Sequence, residues 1–370
     1  MAILPVVYIP TMLVHNNKRP TLIAGPCSAE SFEQLDSTID GIVDLGINVI
    51  RAGVWKPRTR PNSFEGNGEQ ALQWLNELKK KYPIKVATEV ASTQHVELAL
   101  KYSIDILWIG ARTTVNPFGV QEIANAIKGV NIPVYVKNPV NPDLSLWIGA
   151  VERISGAGIT DIKAIHRGFS SFQKTRFRNA PMWQIPIDFK RRCPEIPLIC
   201  DPSHISGNRE MLFEISQKSL DLNYDGLMIE THYSPDEALS DAEQQITPKS
   251  LGELLNRLSV RKDTSDNIVF KAHLEDLRDK VDHLDREIIE AIAARMKVVE
   301  EIGEYKKEND VTILQLERYK EILKTRPEWG QILELDPKFV MEFYKLVHEE
   351  SIRKQTDIFN NIVNQTKNND

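Results

Sequence analysis

The chain has 370 residues, 41% hydrophobic and 26% charged, a composition that excludes a disordered polymer and leaves room for one large domain with a smaller companion. A net charge of −6 argues against a nucleic-acid partner, and 17 Lys and Arg against 22 Asp and Glu in residues 269–370 place most of that charge in the last third. No apolar run reaches membrane-spanning length. Three cysteines, odd in number and without paired spacing, argue against a disulfide framework and for a reducing, cytoplasmic setting.

Residues 1–14 are apolar but broken by Pro5 and Pro10, with no basic n-region, so no secretory leader is expected. The run Thr21 to Ala24 then halts at Gly25-Pro26 and presents Cys27, the pattern of a buried parallel strand opening into a loop. Seven further short apolar runs follow: Val49–Val54, Lys85–Val90, Ile106–Gly110, Pro133–Lys137, Ile162–His166, Leu198–Cys200 and Gly226–Ile229. Amphipathic stretches lie between them, among them Glu69–Lys81, Gln94–Tyr102, Val120–Lys128 and Leu144–Ser155. Eight such units in about 240 residues predict an α/β fold, a (β/α)8 barrel; an open doubly wound sheet is the competitor, but no Gly-x-Gly-x-x-Gly turn supports it.

The strand ends carry the chemistry. In order they present Cys27; Arg51 with Lys56-Pro-Arg58-Thr59; Glu89; Arg112; Lys137; His166-Arg167; Asp201-Pro-Ser-His204; and Glu230-Thr-His232, with Asp241 a short loop beyond. A single charge at a strand end is most simply a solvated or structural one, but eight together indicate a site at the C-terminal mouth of a barrel. Two sets separate. Cys27, His204, Glu230 and Asp241 supply a thiolate, an imidazole and two carboxylates, suited to Mn, Fe, Co or Zn. Arg51, Lys56, Arg58, Arg112, Lys137 and Arg167 are cations able to hold phosphates and a carboxylate. No organic cofactor is expected.

Around 259–268 the apolar pattern lapses, so a barrel domain over 1–258 is predicted to join through this linker to an all-α domain over 269–370. From Phe270 to about Lys307 apolar residues recur at helical spacing, giving a helix of about 54 Å that needs a partner beyond its own domain. Two more helices are expected, Gln315–Thr325 and Pro337–Phe359, before a frayed polar tail from Asn360. At about 100° per residue Arg295 and Lys306 share a face while Arg278 lies about 100° away, and Ser351 and Gln355 share a face at i, i+4. By periodicity alone these are solvated charges on a helical hairpin.

Gly25-Pro-Cys-Ser28, Lys56-Pro-Arg-Thr59, Trp108-Ile-Gly-Ala-Arg112, Lys137-Asn138, His166-Arg167-Gly168, Asp201-Pro-Ser-His204 and Leu239-Ser-Asp241 occur in one order over about 20–257. This stretch resembles the synthases of 3-deoxy-D-arabino-heptulosonate 7-phosphate (DAHP). The resemblance implies that Arg112, Lys137 and Arg167, helped by Lys56, hold phosphoenolpyruvate, that Lys56 to Thr59 grip erythrose 4-phosphate, and that Cys27, His204, Glu230 and Asp241 bind a divalent metal. The related synthase of 3-deoxy-manno-octulosonate 8-phosphate has Lys-Ala-Asn-Arg in place of Lys56-Pro-Arg-Thr59, which decides against it. Residues 270–357 resemble chorismate mutases of the all-helical class. That likeness implies Arg278, Arg295, Lys306, Arg318, Ser351 and Gln355 as binding and catalytic residues for chorismate and prephenate, with Arg278 sent into the partner's pocket of an intertwined homodimer, itself open to higher assembly. Gln315 and Tyr319 stand where acidic residues are expected. Two active enzymes, an active synthase with a ligand-sensing appendage, and a scaffold that keeps only the fold are the competing readings; feedback on the synthase through the mutase domain is expected under the first two.

Overall fold

The computed structural model describes residues 20–56, 64–172, 174–262 and 264–366, the stretch 361–366 by backbone alone. The chain separates into two compact units, the second beginning at Thr264.

The first unit is a closed barrel of eight parallel strands in sequence order: β1 (Thr21–Gly25), β2 (Val49–Arg51), β3 (Lys85–Val90), β4 (Ile106–Ile109), β5 (Val134–Lys137), β6 (Ile162–His166), β7 (Leu198–Cys200) and β8 (Gly226–Glu230), with β1 closing on β8. Its helices are α1 (Phe32–Val43), α2 (Gly68–Lys81), α3 (Thr93–Lys101), the short α4 (Ala111–Thr114), α5 (Pro117–Ala126), α6 (Leu144–Gly156), α7 (Gln184–Arg192), α8 (Pro202–Ser206), α9 (Leu212–Asp221) and α10 (Pro248–Arg257). Local chemistry starts several of them. Ser31, Ser92, Asp143 and Thr247 each cap a helix by accepting from a backbone N–H in its first turn, each worth about 1 kcal/mol. Helix α7 accommodates Pro186 because the proline sits in the first turn, where no N–H is lost from the helix ladder. Strand β2 stops at Arg51, short of the expected Val54, because Gly53 turns to bridge Ser28.

Strand alternation positions the site. One buried cluster, filling the barrel, contains Ile23, Ala87, Ile106, Trp108, Tyr135, Ile165, Ile199 and Met228, while their neighbours Ala24, Val86, Leu107, Val134, Ala164, Leu198 and Leu227 belong to the cluster beneath the helices. Two residues further along, the inward positions at the mouth are Gly25, Glu89, Lys137, Arg167, Asp201 and Glu230; Arg51 stands in the same relation to Val49. The period of two therefore turns His166 outward. It is fully buried, with Nε2 2.8 Å from Pro181 O and Nδ1 3.0 Å from Tyr224 Oη, among Trp147, Phe169 and Trp183. Burial pushes its pKa down to about 3.

The second unit has three helices: α11 (Ile268–Glu308), α12 (Leu316–Ile332) and α13 (Pro337–Thr366). At 41 residues α11 spans about 60 Å. Its buried residues, Met296, Val299 and Gly303, all lie in its C-terminal half, where it packs on α13. Its N-terminal half leaves Leu277, Val281, Leu284 and Ile288 exposed at alternating spacings of four and three. Helix α12 runs through Pro327 rather than ending near Thr325, and α13 continues past Phe359 to Thr366, so the expected frayed tail is helical over that span.

Candidate active sites

At the barrel mouth, Gly25 with φ +141° lets β1 and β2 approach so closely that a Cβ there would lie 2.2 Å from Arg51 O. Cys27 follows directly. Its Sγ lies 3.2 Å from Asp241 Oδ2 and accepts from Lys56 Nζ at 2.8 Å. Ligand atoms of Cys27, Glu230 and Asp241 all lie within 4.8 Å of one another. His204 points its Nε2 at Glu230 Oε1, 3.7 Å away, while its Nδ1 is held by Asp201 Oδ1 at 3.0 Å. A carboxylate orienting the far nitrogen of an imidazole is the usual support of a metal-binding histidine. The sequence-derived set of four is thus brought together, with His204 just outside the tightest group.

The electrostatics fit a cation. Burial and the neighbouring Glu230 push the Cys27 thiol up to about 12. Burial opposes ionisation of Asp241 and Glu230, yet His204 and the cations Arg178, Arg51 and Lys56 hold both carboxyls below their usual range. Glu230 Oε1 is buried without a hydrogen-bond partner and ion-paired only to Arg51 NH2 at 3.1 Å, which leaves it acceptor capacity that a divalent ion would satisfy.

Next to this group is a cavity of about 300 Å³ lined by Lys56, Glu89, Arg112, Lys137, Arg167, Arg178, Asn179, His204 and Asp241. Lys137 pairs with buried Asp201 at 2.8 Å, and Arg167 NH1 donates to Asn179 Oδ1 at 2.6 Å. Burial lowers the Arg167 pKa to about 10, with Arg178 and Arg112 adding to the effect; these crowded guanidiniums make a ready anion site. Glu89 Oε2 accepts from Trp108 Nε1 at 2.9 Å, and its Oε1 lies where a Cβ on Gly110 would intrude at 2.1 Å.

Four sequence-derived positions stand apart. Arg51 does not line the cavity: it is buried, 3.1 Å from Glu230 Oε1 and over the Trp108 ring. Arg58 and Thr59 lie outside the described residues. His232 is buried behind the loop, with Nε2 3.7 Å from Glu30, and does not line the cavity. Sequence reasoning missed Arg178, Asn179 and Gln244, which sit in loops rather than at strand ends.

The helical unit holds a second pocket, about 500 Å³, lined by Arg295, Lys306, Gln315, Arg318, Tyr319, Arg326, His348, Ser351 and Gln355 with apolar walls. Arg295 NH1 donates to Ser351 Oγ at 2.8 Å. Gly303 lets α13 approach, since a Cβ there would meet Gln355 Cγ at 3.0 Å. Gln355 is buried and its Oε1 has no partner. No Asp or Glu lines this pocket among the described residues, and Tyr319 stacks on His348 with ring centroids 4.0 Å apart. Arg278 is not there: it is exposed, 3.2 Å from Glu275, as its place on the helix wheel requires.

No helix among the described residues is long and apolar enough to cross a membrane. Residues 277–356 match the family model for chorismate mutase type II. The chain is 32% identical over 238 residues to phospho-2-dehydro-3-deoxyheptonate aldolase of Thermotoga maritima, covering 64% of this chain and 68% of that protein. It is 27% identical over 259 residues to 2-dehydro-3-deoxyphosphooctonate aldolase of Wolinella succinogenes, covering 64% of this chain and 97% of that one. The crystal structure of the Thermotoga aldolase, a DAHP synthase, superposes with a TM-score of 0.57 at 32% identity, over 64% of this chain and 66% of its own. A truncated form of the Thermotoga synthase gives 0.55 at 28% identity, over 66% and 89%. With its barrel matching over residues 7–265, the chain belongs to the DAHP synthetase I family and carries a chorismate mutase type II domain behind it.

Proposed function

We propose that the barrel condenses phosphoenolpyruvate with erythrose 4-phosphate to DAHP and phosphate, and that the helical unit, as a homodimer, rearranges chorismate to prephenate. The observation that carries the first reading is the cation cluster Arg112, Lys137 and Arg167 beside a thiol, an imidazole and two carboxylates in one mouth. The synthase domain spans 1–258, and the linker 259–268 leads to the mutase domain 269–370.

Cys27, His204, Glu230 and Asp241 would hold a divalent metal, which when bound supplies a Lewis acid for the aldehyde oxygen. Arg112, Lys137 and Arg167 clamp the phosphate and carboxylate of phosphoenolpyruvate, so that C3 is aimed at the aldehyde carbon. Lys56 Nζ stands between Cys27 and the cavity and carries a proton toward the oxygen that gains charge. Lys56 to Thr59 select the four-carbon sugar phosphate, and the buried Arg51 helps keep Glu230 ionised. Water then adds at C2 and phosphate leaves.

In the helical pocket the chemistry needs no nucleophile. Arg295, Arg318 and Lys306 hold the two carboxylates, Lys306 and Gln355 stabilise charge on the breaking ether oxygen, and Ser351 orients Arg295. Arg278 completes the pocket of a second subunit, because the bare apolar stripe Leu277 to Ile288 beside it requires a partner helix. The ligand-sensing alternative draws support from Gln315 and Tyr319, which supply no carboxylate for the substrate hydroxyl. Under either reading, prephenate bound there feeds back on condensation.

The test is release of inorganic phosphate from phosphoenolpyruvate by the full chain. It should require erythrose 4-phosphate and fail with a five-carbon aldose phosphate, whereas preference for the five-carbon sugar would reject the proposal. Loss of chorismate by the same preparation decides between turnover and sensing.

A further inference from the structure

Two carboxylates of the barrel mouth, Glu230 and Asp241, each have one oxygen tied back and one turned inward. Glu230 Oε2 accepts from Gln244 Nε2 at 2.6 Å, while Glu230 Oε1 faces His204 Nε2 at 3.7 Å, pairs with Arg51 NH2 at 3.1 Å and has no hydrogen bond. Asp241 Oδ1 accepts from Arg178 NH1 at 2.9 Å, while Asp241 Oδ2 faces Cys27 Sγ at 3.2 Å. The two tied oxygens converge on one side chain, because Arg178 NH1 also donates to Gln244 Oε1 at 2.7 Å. Gln244 is 1% exposed, and its backbone N–H donates to Asp241 O at 3.2 Å across a 3-10 turn that begins with Asp241 at φ 47°.

The structure assigns Gln244 as a positioning residue: one amide sets Glu230 directly and Asp241 through Arg178, turning the other oxygen of each toward Cys27 and His204 for a shared divalent cation. The assignment rests on reading Glu230 and Asp241 as metal ligands. A primary amide suits the position because it alone among neutral side chains of this length donates to a carboxylate at one end and accepts from a guanidinium at the other. Arg178 also lines the anion cavity, so the same amide joins the metal ligands to the substrate end of the mouth. Outer partners that orient ligands commonly change metal affinity 10- to 100-fold when removed.

The experiment is titration of the metal-free full chain with Mn²⁺ alone, free ion being read by its paramagnetic resonance, for wild type, C27S, Q244L, R178M and Q244L/R178M. Thermal melts check that each variant folds. Q244L, nearly equal in volume but unable to bridge, should weaken Mn²⁺ binding about 10-fold or more. The double variant should be no weaker than the poorer single one, since Arg178 acts on Asp241 as part of the same bridge. If C27S loses the metal while Q244L binds it as wild type does, or if the losses from Q244L and R178M simply multiply, the role of Gln244 is refuted and the metal site stands. If C27S binds Mn²⁺ as wild type does, the metal-site reading itself fails. Should Q244L not fold, Q244N keeps both polar atoms but is one methylene too short to span; a Mn²⁺ affinity equal to wild type would refute the bridge.

Discussion

Asp201→Asn isolates one buried charge at the centre of the barrel mouth. The carboxylate is fully buried, with Oδ2 2.8 Å from Lys137 Nζ and Oδ1 holding His204 Nδ1 and N. Burial works against its charge, but His204 and Lys137 outweigh that and keep its pKa well below the usual range, so its stabilisation is present above about pH 4 and lost in acid. At 2.8 Å and an effective dielectric of about 20 the gross attraction is about 6 kcal/mol, and breaking such a buried pair typically costs about 3–5 kcal/mol. Asparagine keeps the shape and an acceptor for His204, so the measured loss is chiefly that of Lys137's partner. Urea unfolding followed by tryptophan fluorescence reports on the barrel, which holds every tryptophan except Trp329. The metal-free variant should lose about 3–5 kcal/mol, and inorganic phosphate should return part of it by giving Lys137 another anion. A loss below about 1 kcal/mol would mean that Lys137 is hydrated and the mouth is not the low-dielectric anion site described.

Other expectations test separate parts of the account. Arg295→Ala should abolish chorismate turnover while phosphate release in the barrel stays within about twofold of wild type; parallel loss of both would contradict separable sites. Gly110→Ala brings a Cβ to 2.1 Å from Glu89 Oε1, so condensation should fall by about tenfold or more with the barrel still folded, and unchanged rates would show that the Glu89 carboxylate can turn freely. His166, with its pKa pushed down to about 3, stays neutral in the folded state, so stability falls as pH drops below about 6.5 where the unfolded chain takes up a proton. The stability gap between wild type and His166→Gln should therefore narrow by about 2 kcal/mol from pH 7 to pH 5 in urea titrations; a constant gap would refute the buried neutral imidazole.

Much of the barrel was legible because strand alternation and strand-end residues obey short local rules. The period of two that carries Ile23 and Met228 into the core also places Gly25 and Glu230 at the mouth. The same rule assigns His166 to the outer face, although its place beside Arg167 suggests a rim residue. Arg51 was harder: a cation at a strand end looks like a ligand-binding group, and only its buried pairing with Glu230 shows that it is committed to a protein carboxylate. Arg178, Asn179 and Gln244 carried no local signal, since loops after β6 and β8 bring them to the mouth from positions that have no fixed period. In the helical unit the wheel angles of Arg295, Lys306 and Arg278 anticipated which of them share a pocket, whereas α12 runs past its expected end at Thr325 to Ile332. Arg326 and His348 entered the pocket unforeseen, because each looks like one more solvated charge on an amphipathic helix.

The central claim, two reactions in one chain of which only the barrel's uses a metal, is tested most directly by assaying phosphoenolpyruvate loss and chorismate loss in one preparation before and after exhaustive chelation. The account predicts both activities at the start, loss of condensation alone on chelation, and its return with added divalent metal. Condensation that survives complete metal removal, or chorismate turnover that vanishes with the metal, would contradict it.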